Sequence, residues 1–309
     1  MVDLGSDTQV PRELMLAWWS LVGLFVGSFL NVAIHRLPQD GMTVSKPRRS
    51  VCPSCDRSLT WRENVPLLSW LIQLGKCRGC GWSIPWRYPA VELLTAALWL
   101  AAALATPEGD WVLLAVRVLV ISGLVVATFV DFAIFEIPDE ISIGGMILAP
   151  LASLAVPRLH ADTVVALRFS EGGASVDMGG ALVGCVAGMI AGGGILLVIG
   201  WIGKLVYGRD AMGFGDVKLL CGAGGFIGPG GVVVALVVAS LVASIAGVGN
   251  ILRYLAISRS RVRQRSANRS FGQSLRAARV AGRYVPFGPY LALGIGIALL
   301  YWNHVEQWV

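Results

Sequence analysis

Two aspartates stand out among the few acidic residues that lie in or beside the apolar stretches of this 309-residue chain. Asp131 ends one apolar stretch, and Asp216 begins another, within the sequence Gly213-Phe214-Gly215-Asp216-Val217-Lys218. An ionisable group at membrane depth is costly, so it is a functional hypothesis by default. Two carboxyl groups at hydrogen-bonding distance hold one proton between them. The ionised member then activates water while the protonated member polarises a carbonyl, which is the arrangement of an aspartic protease.

The two aspartates also have simpler interpretations, as interfacial carboxylates that reach lipid headgroups or as helix caps. Gly213 and Gly215 favour the pair, because residues without a side chain leave room for close backbone approach around Asp216. Lys218 either lies near the site or extends to the membrane interface, and we favour the interface. Three further acids near the same face are predicted to be solvated loop charges or helix caps: Glu136, Asp139 and Asp210.

Four cysteines form two CxxC pairs, Cys52-Pro-Ser-Cys55 and Cys77-Arg-Gly-Cys80, separated by 21 residues. This spacing is typical of a zinc ribbon, in which four thiolates close a tetrahedral site. A redox pair and unconnected thiols are the alternatives. We predict a structural Zn²⁺ that folds a short segment with little core of its own. Cys185 and Cys221 lie in apolar stretches and are interpreted as packing residues.

The composition predicts that the chain is a membrane protein, whose helices must position the aspartates and cysteines. Hydrophobic residues make up 55% of the chain and charged residues 14%, against roughly 25% charged residues in soluble domains. At about 20 residues per span, we predict an all-α polytopic fold with about eight transmembrane helices. The apolar stretches run over residues 14–34, 88–105, 111–130, 141–156, 179–202, 217–227, 231–252 and 286–302. Residues 158–173 are expected to be a loop.

Charge in the loops predicts the orientation. Segment 35–87 holds nine lysines and arginines, and segment 253–283 holds nine arginines and no acid, so both are expected in the cytoplasm. The arginine-rich segment is interpreted as an anchor beside anionic lipid and not as a nucleic-acid arm. Two spans separate Asp131 from Asp216, so both should lie at the cytoplasmic face. They can meet if the third and sixth helices pack together.

The motifs together, in this order along most of the chain, resemble those of the type IV prepilin peptidases. These are bifunctional leader peptidase/N-methyltransferases of bacterial membranes. The motifs that carry the resemblance are Gly27-Ser28-Phe29-Leu30-Asn31-Val32, Arg36-Leu37-Pro38, the double CxxC with Trp61-Arg62-Glu63-Asn64-Val65-Pro66 and Leu68-Ser69-Trp70-Leu71 between its halves, Arg87-Tyr88-Pro89 with Val91-Glu92, Asp131 with Ile137-Pro138-Asp139, the stretch Gly213 to Lys218, and Pro286-Phe287-Gly288-Pro289-Tyr290-Leu291-Ala292-Leu293-Gly294.

The resemblance implies that Asp131 and Asp216 are the catalytic pair of an inner-membrane enzyme. Its substrates would be prepilins or pseudopilins of type IV pilus or type II secretion systems, cut after a glycine at the cytoplasmic face. It also implies methylation of the new N-terminal residue with S-adenosylmethionine, for which segment 35–87 is the candidate region without a named binding residue. The expected division is an N-terminal segment and first helix (1–34), a zinc module (35–87) and a peptidase domain (88–309).

Two other functions remain open from the residues alone. The aspartates would carry protons or cations in a transporter, which moves an ion and produces no new peptide N-terminus. The cysteine module would be the essential part of a non-catalytic scaffold for secretion machinery, in which the aspartates are dispensable.

Overall fold

The computed structural model describes residues 11–39, 41, 43–45, 50–161, 163–170, 175–208, 212–264 and 286–305. Within these ranges the regular structure is helical, with short 3₁₀ turns at Trp61–Glu63 and Pro157–His160. The α-helices are α1 (Arg12–Arg36), α2 (Leu68–Ile72), α3 (Arg87–Ala105), α4 (Trp111–Ile134), α5 (Asp139–Ala155), α6 (Val164–Arg168), α7 (Met178–Tyr207), α8 (Phe214–Gln264) and α9 (Gly288–Val305).

The predicted all-α membrane fold is confirmed. Within the described ranges, five helices are long and apolar enough to cross a membrane, namely α1, α3, α4, α7 and the described apolar part of α8, and a shorter apolar helix covers Gly288–Tyr301. Each of the eight apolar stretches falls within helix, apart from short ends. The prediction of a plain loop over residues 158–173 is wrong, because α6 and part of a 3₁₀ turn lie there.

Helix α8 accounts for two of the predicted spans because it bends back on itself. Gly228 has φ 66° and ψ 176°, which is not helical, and Pro229 follows it. A methyl group on Gly224 would lie 3.0 Å from Cγ2 of Val232, although eight residues of straight helix rise about 12 Å. The first arm, residues 214–227, and the second arm, from residue 229, are therefore a helical hairpin.

Glycines let α7 approach the first arm of α8 at backbone contact. A methyl group on Gly188 would lie 2.0 Å from the carbonyl oxygen of Gly224, and one on Gly192 would lie 2.3 Å from that of Leu220. Small residues at such contacts are the usual means of close helix packing in membranes. The pairing runs in opposite directions along the two helices, so the start of α8 lies beside the end of α7.

Ion pairs define one end of the bundle. Arg12 at the start of α1 contacts Glu108 at 3.3 Å, and Arg158 contacts Asp110 at 2.6 Å. Asp110 also caps α4 by accepting from the backbone of Leu113 at 3.1 Å. The start of α1, the α3–α4 loop and the segment after α5 therefore meet. The opposite end gathers the end of α1, the beginnings of α3, α5 and α9, and the end of α4.

Candidate active site and metal centre

Asp131 lies in the last turn of α4 and is buried, with 5% of its surface exposed. The helix ends at Phe135, which adopts the left-handed conformation and donates its N–H to the Asp131 carbonyl. The Asp131 carboxylate faces the beginning of α9, where Gly288 donates its backbone N–H to Oδ2 at 3.0 Å. The first N–H groups of a helix have no partner within the helix, so this carboxylate satisfies one of them.

Gly288 approaches Asp131 so closely that no side chain fits between them. A methyl group on Gly288 would lie 2.5 Å from Oδ2 of Asp131 and 3.3 Å from Cδ1 of Ile137. The sequence interpretation gave Gly288 no such role. The bond joins residues that are 157 positions apart, so no local pattern indicates it.

Asp216 lies in the first turn of α8 and is half-buried. A methyl group on Gly215 would lie 3.2 Å from Cβ of Ile137, so the start of α8 packs on the residue that also contacts Gly288. The carboxyl groups of Asp131 and Asp216 are close enough to interact electrostatically. The structure therefore brings the two aspartates to one place at one end of the bundle.

The aspartates meet by a different route from the one expected. In the described part of the chain, α4 and α8 have almost no direct contact, whereas α9 packs against both. Two connections link the end of α4 to the start of α8. One is α9, which contacts Asp131 through Gly288, and the other is the segment between α4 and α5, which contacts both α9 and α8 through Ile137. The direct packing of the third and sixth helices that the sequence offered as a route is therefore not the one that the structure uses.

Lys218 pairs with Asp139 across the beginnings of α8 and α5, and its ammonium also lies 5.4 Å from the ring centre of Phe214. Of the two sequence interpretations of Lys218, this pairing supports a position near the site. Asp139 makes no capping hydrogen bond, since Pro138 occupies that position. Glu136 is exposed, and Asp210 lies outside the described residues.

The four cysteines Cys52, Cys55, Cys77 and Cys80 converge, with all sulfur atoms within 4.8 Å of one another. The Sγ atoms of Cys52 and Cys80 are 3.9 Å apart. Tetrahedral zinc with Zn–S bonds of about 2.3 Å needs sulfurs about 3.8 Å apart. The donor set therefore fits a four-thiolate metal site, as the spacing predicts.

Backbone hydrogen bonds shape each half of the cysteine cluster in the same way. Cys52 donates its N–H to the carbonyl of Arg57 at 3.0 Å, and Cys77 donates to Trp82 at 2.8 Å. The N–H groups of Cys80 and Gly79 lower the pKa of the Cys77 thiol to about 6, which favours the thiolate that binds a metal. Cys185 and Cys221 lie outside the cluster, in α7 and α8.

A cavity of about 590 Å³ lies between the cysteine module and the helices α1 and α3. Asn31 of α1 lines it, and Glu92 of α3 lines it from the other helix. Glu92 fastens the module to the bundle, because its Oε2 accepts the N–H of Leu67 at 2.8 Å. Leu67 has φ 56°, a strained conformation that this bond holds in place.

Comparison with known proteins adds two family matches. The family described as "Bacterial Peptidase A24 N-terminal domain" matches residues 21–106, and the "Type IV leader peptidase family" matches residues 118–248. The second match includes both Asp131 and Asp216. No solved structure matches the chain significantly.

Relatives match over nearly the full length of the chain. A "Prepilin leader peptidase/N-methyltransferase" of Aeromonas hydrophila is 35% identical over 97% of this chain and 96% of its own. The Dickeya chrysanthemi protein with the same description is 32% identical over 95% and 96%. A "Type 4 prepilin-like proteins leader peptide-processing enzyme" of Escherichia coli O78:H11 is 31% identical over 90% and 91%.

Proposed function

This chain belongs to the type IV leader peptidase family, and from that premise we propose that it removes the leader of prepilins with Asp131 and Asp216 as its catalytic pair. It also methylates the N-terminal residue that the cut exposes. The observation that carries the proposal is the position of Ile137, which packs against Gly215 beside Asp216 and against Gly288, the residue that binds the Asp131 carboxylate. The full-length relatives are described as prepilin peptidases and methyltransferases, which supports both activities.

The two carboxyl groups divide the work of peptide hydrolysis. They share one proton, so one of them accepts a proton from the attacking water while the other donates a hydrogen bond to the peptide carbonyl. Gly288 holds Asp131 in position through its N–H, which leaves the other carboxylate oxygen for the reaction. The neighbouring pair of Lys218 and Asp139 fixes the start of α8 against α5 and thus supports Asp216.

The cysteine module holds a structural Zn²⁺ through Cys52, Cys55, Cys77 and Cys80. Four thiolates leave no open position on the metal, so its contribution is to fold the module. The module spans residues 35–87 between the first helix, residues 1–34, and the peptidase domain, residues 88–309. It lies at the same end of the bundle as the aspartates, because it joins the end of α1 to the start of α3.

The enzyme acts in the bacterial inner membrane, with both aspartates at the cytoplasmic face. A prepilin is a basic leader followed by an apolar helix, so its cleaved bond lies level with the aspartates when that helix is in the bilayer. The arginine-rich segment 253–283 carries nine arginines without an acid. Anionic headgroups therefore act as a second partner of this face.

The deciding experiment measures prepilin cleavage by the purified enzyme and by Asp131→Asn and Asp216→Asn. Each change keeps the size of the side chain and removes its ability to share the proton. Because the pair acts as one unit, either variant should lose cleavage by a factor on the order of 10⁴ or more. Thermal unfolding in detergent checks that both variants remain folded.

Cleavage retained by a folded variant would show that Asp131 and Asp216 are not the catalytic pair. A transporter predicts ion flux in liposomes and an intact prepilin, and a scaffold predicts that the aspartate variants keep their function while the cysteine variants lose it. A flux assay on the same proteins and a cysteine variant added to the set therefore separate these two functions from the peptidase.

A further inference from the structure

We propose that the cavity between the cysteine module and helices α1 and α3 receives the N-terminal ammonium group that leader removal exposes on the pilin, and that the carboxylate of Glu92 binds this group and accepts its proton. This inference rests on the methyltransferase half of the proposed function and adds a catalytic residue to it. The cavity volume of about 590 Å³ lies within the range of about 300–1,000 Å³ that small ligands occupy.

Glu92 is a buried carboxylate without a cation. It lies in the second turn of α3, with 7% of the residue exposed, and it forms no ion pair with the described residues. Glu63 also lines the cavity, but Arg57 pairs with it. A buried charge is costly unless a group of opposite charge meets it. A cationic ligand in the cavity would be that group for Glu92.

One oxygen of Glu92 remains open to such a ligand. Oε2 accepts the N–H of Leu67 at 2.8 Å. Oε1 is not one of the enclosed, unpartnered side-chain atoms of the described structure, and Glu92 lines the cavity. The hydroxyl of Ser28, on the same wall, lies beside the carboxylate. An ammonium group has three N–H donors, which Oε1 and this hydroxyl can share.

The opposite wall suits the residue that carries the ammonium group. Trp70 and Trp82 line the cavity on the module side. Trp70 is held in place because its Nε1–H donates to the carbonyl of Ile84 at 3.2 Å. The pilin segment after the cut is apolar, so its first side chain gains free energy when it is buried against these rings.

The cavity lies near the aspartate pair but does not include it. Val91, next to Glu92, and Val130, next to Asp131, are fully buried in the same hydrophobic cluster. Neither Asp131 nor Asp216 lines the cavity. A chain end released at the aspartates therefore reaches Glu92 at the same end of the bundle.

Glu92 prepares the nitrogen for methylation. An α-amino group has a pKa of about 7.7–8.0, so most of it is protonated at neutral pH and has no lone pair to react. Oε1 takes one proton from the ammonium group. The nitrogen lone pair then bonds to the methyl carbon of S-adenosylmethionine, while the electron pair of the broken C–S bond stays on sulfur. The proton on Glu92 passes to water.

The first test compares N-methylation of processed pilin by the wild-type protein and by Glu92→Gln. Glutamine keeps the size of the side chain and an oxygen for the N–H of Leu67, but it loses the charge and the basic site. Methylation should fall by a factor of about 10²–10⁴, the usual contribution of a general base, while prepilin cleavage persists. Glu13→Gln is the matched control, since Glu13 is exposed near the start of α1, at the opposite end of the bundle.

Zinc content and resistance of the module to protease show whether each variant is folded. Wild-type methylation in a folded Glu92→Gln variant would overturn the assignment. A wild-type protein that cleaves prepilin but methylates no pilin would remove this inference and the methylation proposal together, and would leave the peptidase proposal standing.

Binding of the amine is measured without the methyl donor, by fluorescence anisotropy of a C-terminally labelled peptide that contains the first residues of the processed pilin. The wild-type protein should bind the free-amine peptide about tenfold more tightly than the N-acetylated peptide, the effect of one hydrogen bond between charged groups. Glu92→Gln should bind the two peptides equally. Equal binding by a wild-type protein that methylates pilin would overturn the role of Glu92 and leave the methylation proposal standing.

Cross-linking with a carbodiimide decides the matter if Glu92→Gln fails to fold. The reagent joins an amine to a carboxylate in contact with it and takes up the water that is lost. In the wild-type protein the N-terminal nitrogen of the peptide should be joined to Glu92, and the N-acetylated peptide should give no such link. Links confined to other carboxylates would contradict the proposal.

Discussion

The position of the Asp131 carboxylate depends on Gly288, a residue without a side chain. A carboxylate at a helix N-terminus interacts favourably with the helix dipole and with the unpaired N–H groups there. Gly288 provides such an N–H to Asp131, and its missing side chain is what permits the approach. The position of the carboxylate is therefore set by backbone, which cannot rotate away as a side-chain donor can.

Replacing Gly288 with alanine tests this dependence. The new methyl group would lie 2.5 Å from Oδ2 of Asp131, so the carboxylate must move. A displacement of about 1 Å in an active site costs about 100-fold in rate, and we expect prepilin cleavage to fall by about that factor. Gly296→Ala on the same helix is the control, because a methyl group there meets no atom within 4 Å. Equal activity in the two variants would show that Gly288 does not position Asp131.

Residue types and spacing predict the candidate catalytic and metal-binding residues, but not the residues that contact them in the fold. The two aspartates and four cysteines stand out from sequence because carboxylates are rare near apolar stretches and double CxxC pairs have few other uses. Gly288 and the pairing of Lys218 with Asp139 depend on contacts between distant parts of the chain. No spacing rule reports such contacts, since they arise only when the helices pack.

Within the cysteine module, the four converging cysteines join a segment with little other structure. Among its described residues, the helical elements are one 3₁₀ turn and the five-residue helix α2. Arg57 pairs with Glu63, which also accepts from the N–H and hydroxyl of Thr60. The Thr60 bonds and the arginine hold the pKa of Glu63 below its usual value. These few interactions fix the turn, but the two halves of the module meet at the four sulfur atoms.

Removing one sulfur tests the metal site at the scale of the module. We expect the wild-type protein to contain about one zinc ion per chain by mass spectrometry of the metal, and Cys52→Ser to lose it. The module should then be cut readily by protease, while prepilin cleavage persists at a reduced rate because the aspartates lie on other elements. Cys221→Ser is the control, since Cys221 lies in α8 outside the cluster. Immediate loss of cleavage on chelation, with the fold intact, would point to a catalytic metal.

Most membrane helices were predictable from the sequence to within a few residues because long apolar stretches have few other structures available in a membrane. The exception is α8, which continues to Gln264, 12 residues beyond the predicted end of its second apolar stretch at residue 252. The hairpin in α8 was also indicated, since Gly228 and Pro229 separate two apolar stretches. Helix α6 was missed, because five residues carry too little periodicity to be distinguished from a loop. The route by which α9 joins the two aspartates depends on how the helices associate, which apolar patterns leave open.

At the scale of the whole molecule, the two ends of the bundle carry different chemistry. One end has the ion pairs of Arg12 with Glu108 and of Arg158 with Asp110. The other end has the aspartate pair, the cysteine module and the cavity. The loops at the second end hold the basic segment 35–87 and connect to the arginine-rich segment 253–283. Positive charge marks the cytoplasmic side of membrane proteins, which supports the proposal that the reactions take place on that side.

Two exposed glutamates at opposite ends of the bundle test this orientation. Glu108 lies at the ion-pair end and Glu136 follows α4 at the aspartate end, so Glu108→Cys and Glu136→Cys place the same thiol on the two sides. In intact spheroplasts a membrane-impermeant maleimide should label only the first variant, and permeabilised cells should label both. The wild-type chain is the control for its own cysteines. Labelling of Glu136→Cys before permeabilisation would show that the orientation is the opposite of the proposed one. The aspartates would then lie on the side away from the leader of a newly made prepilin.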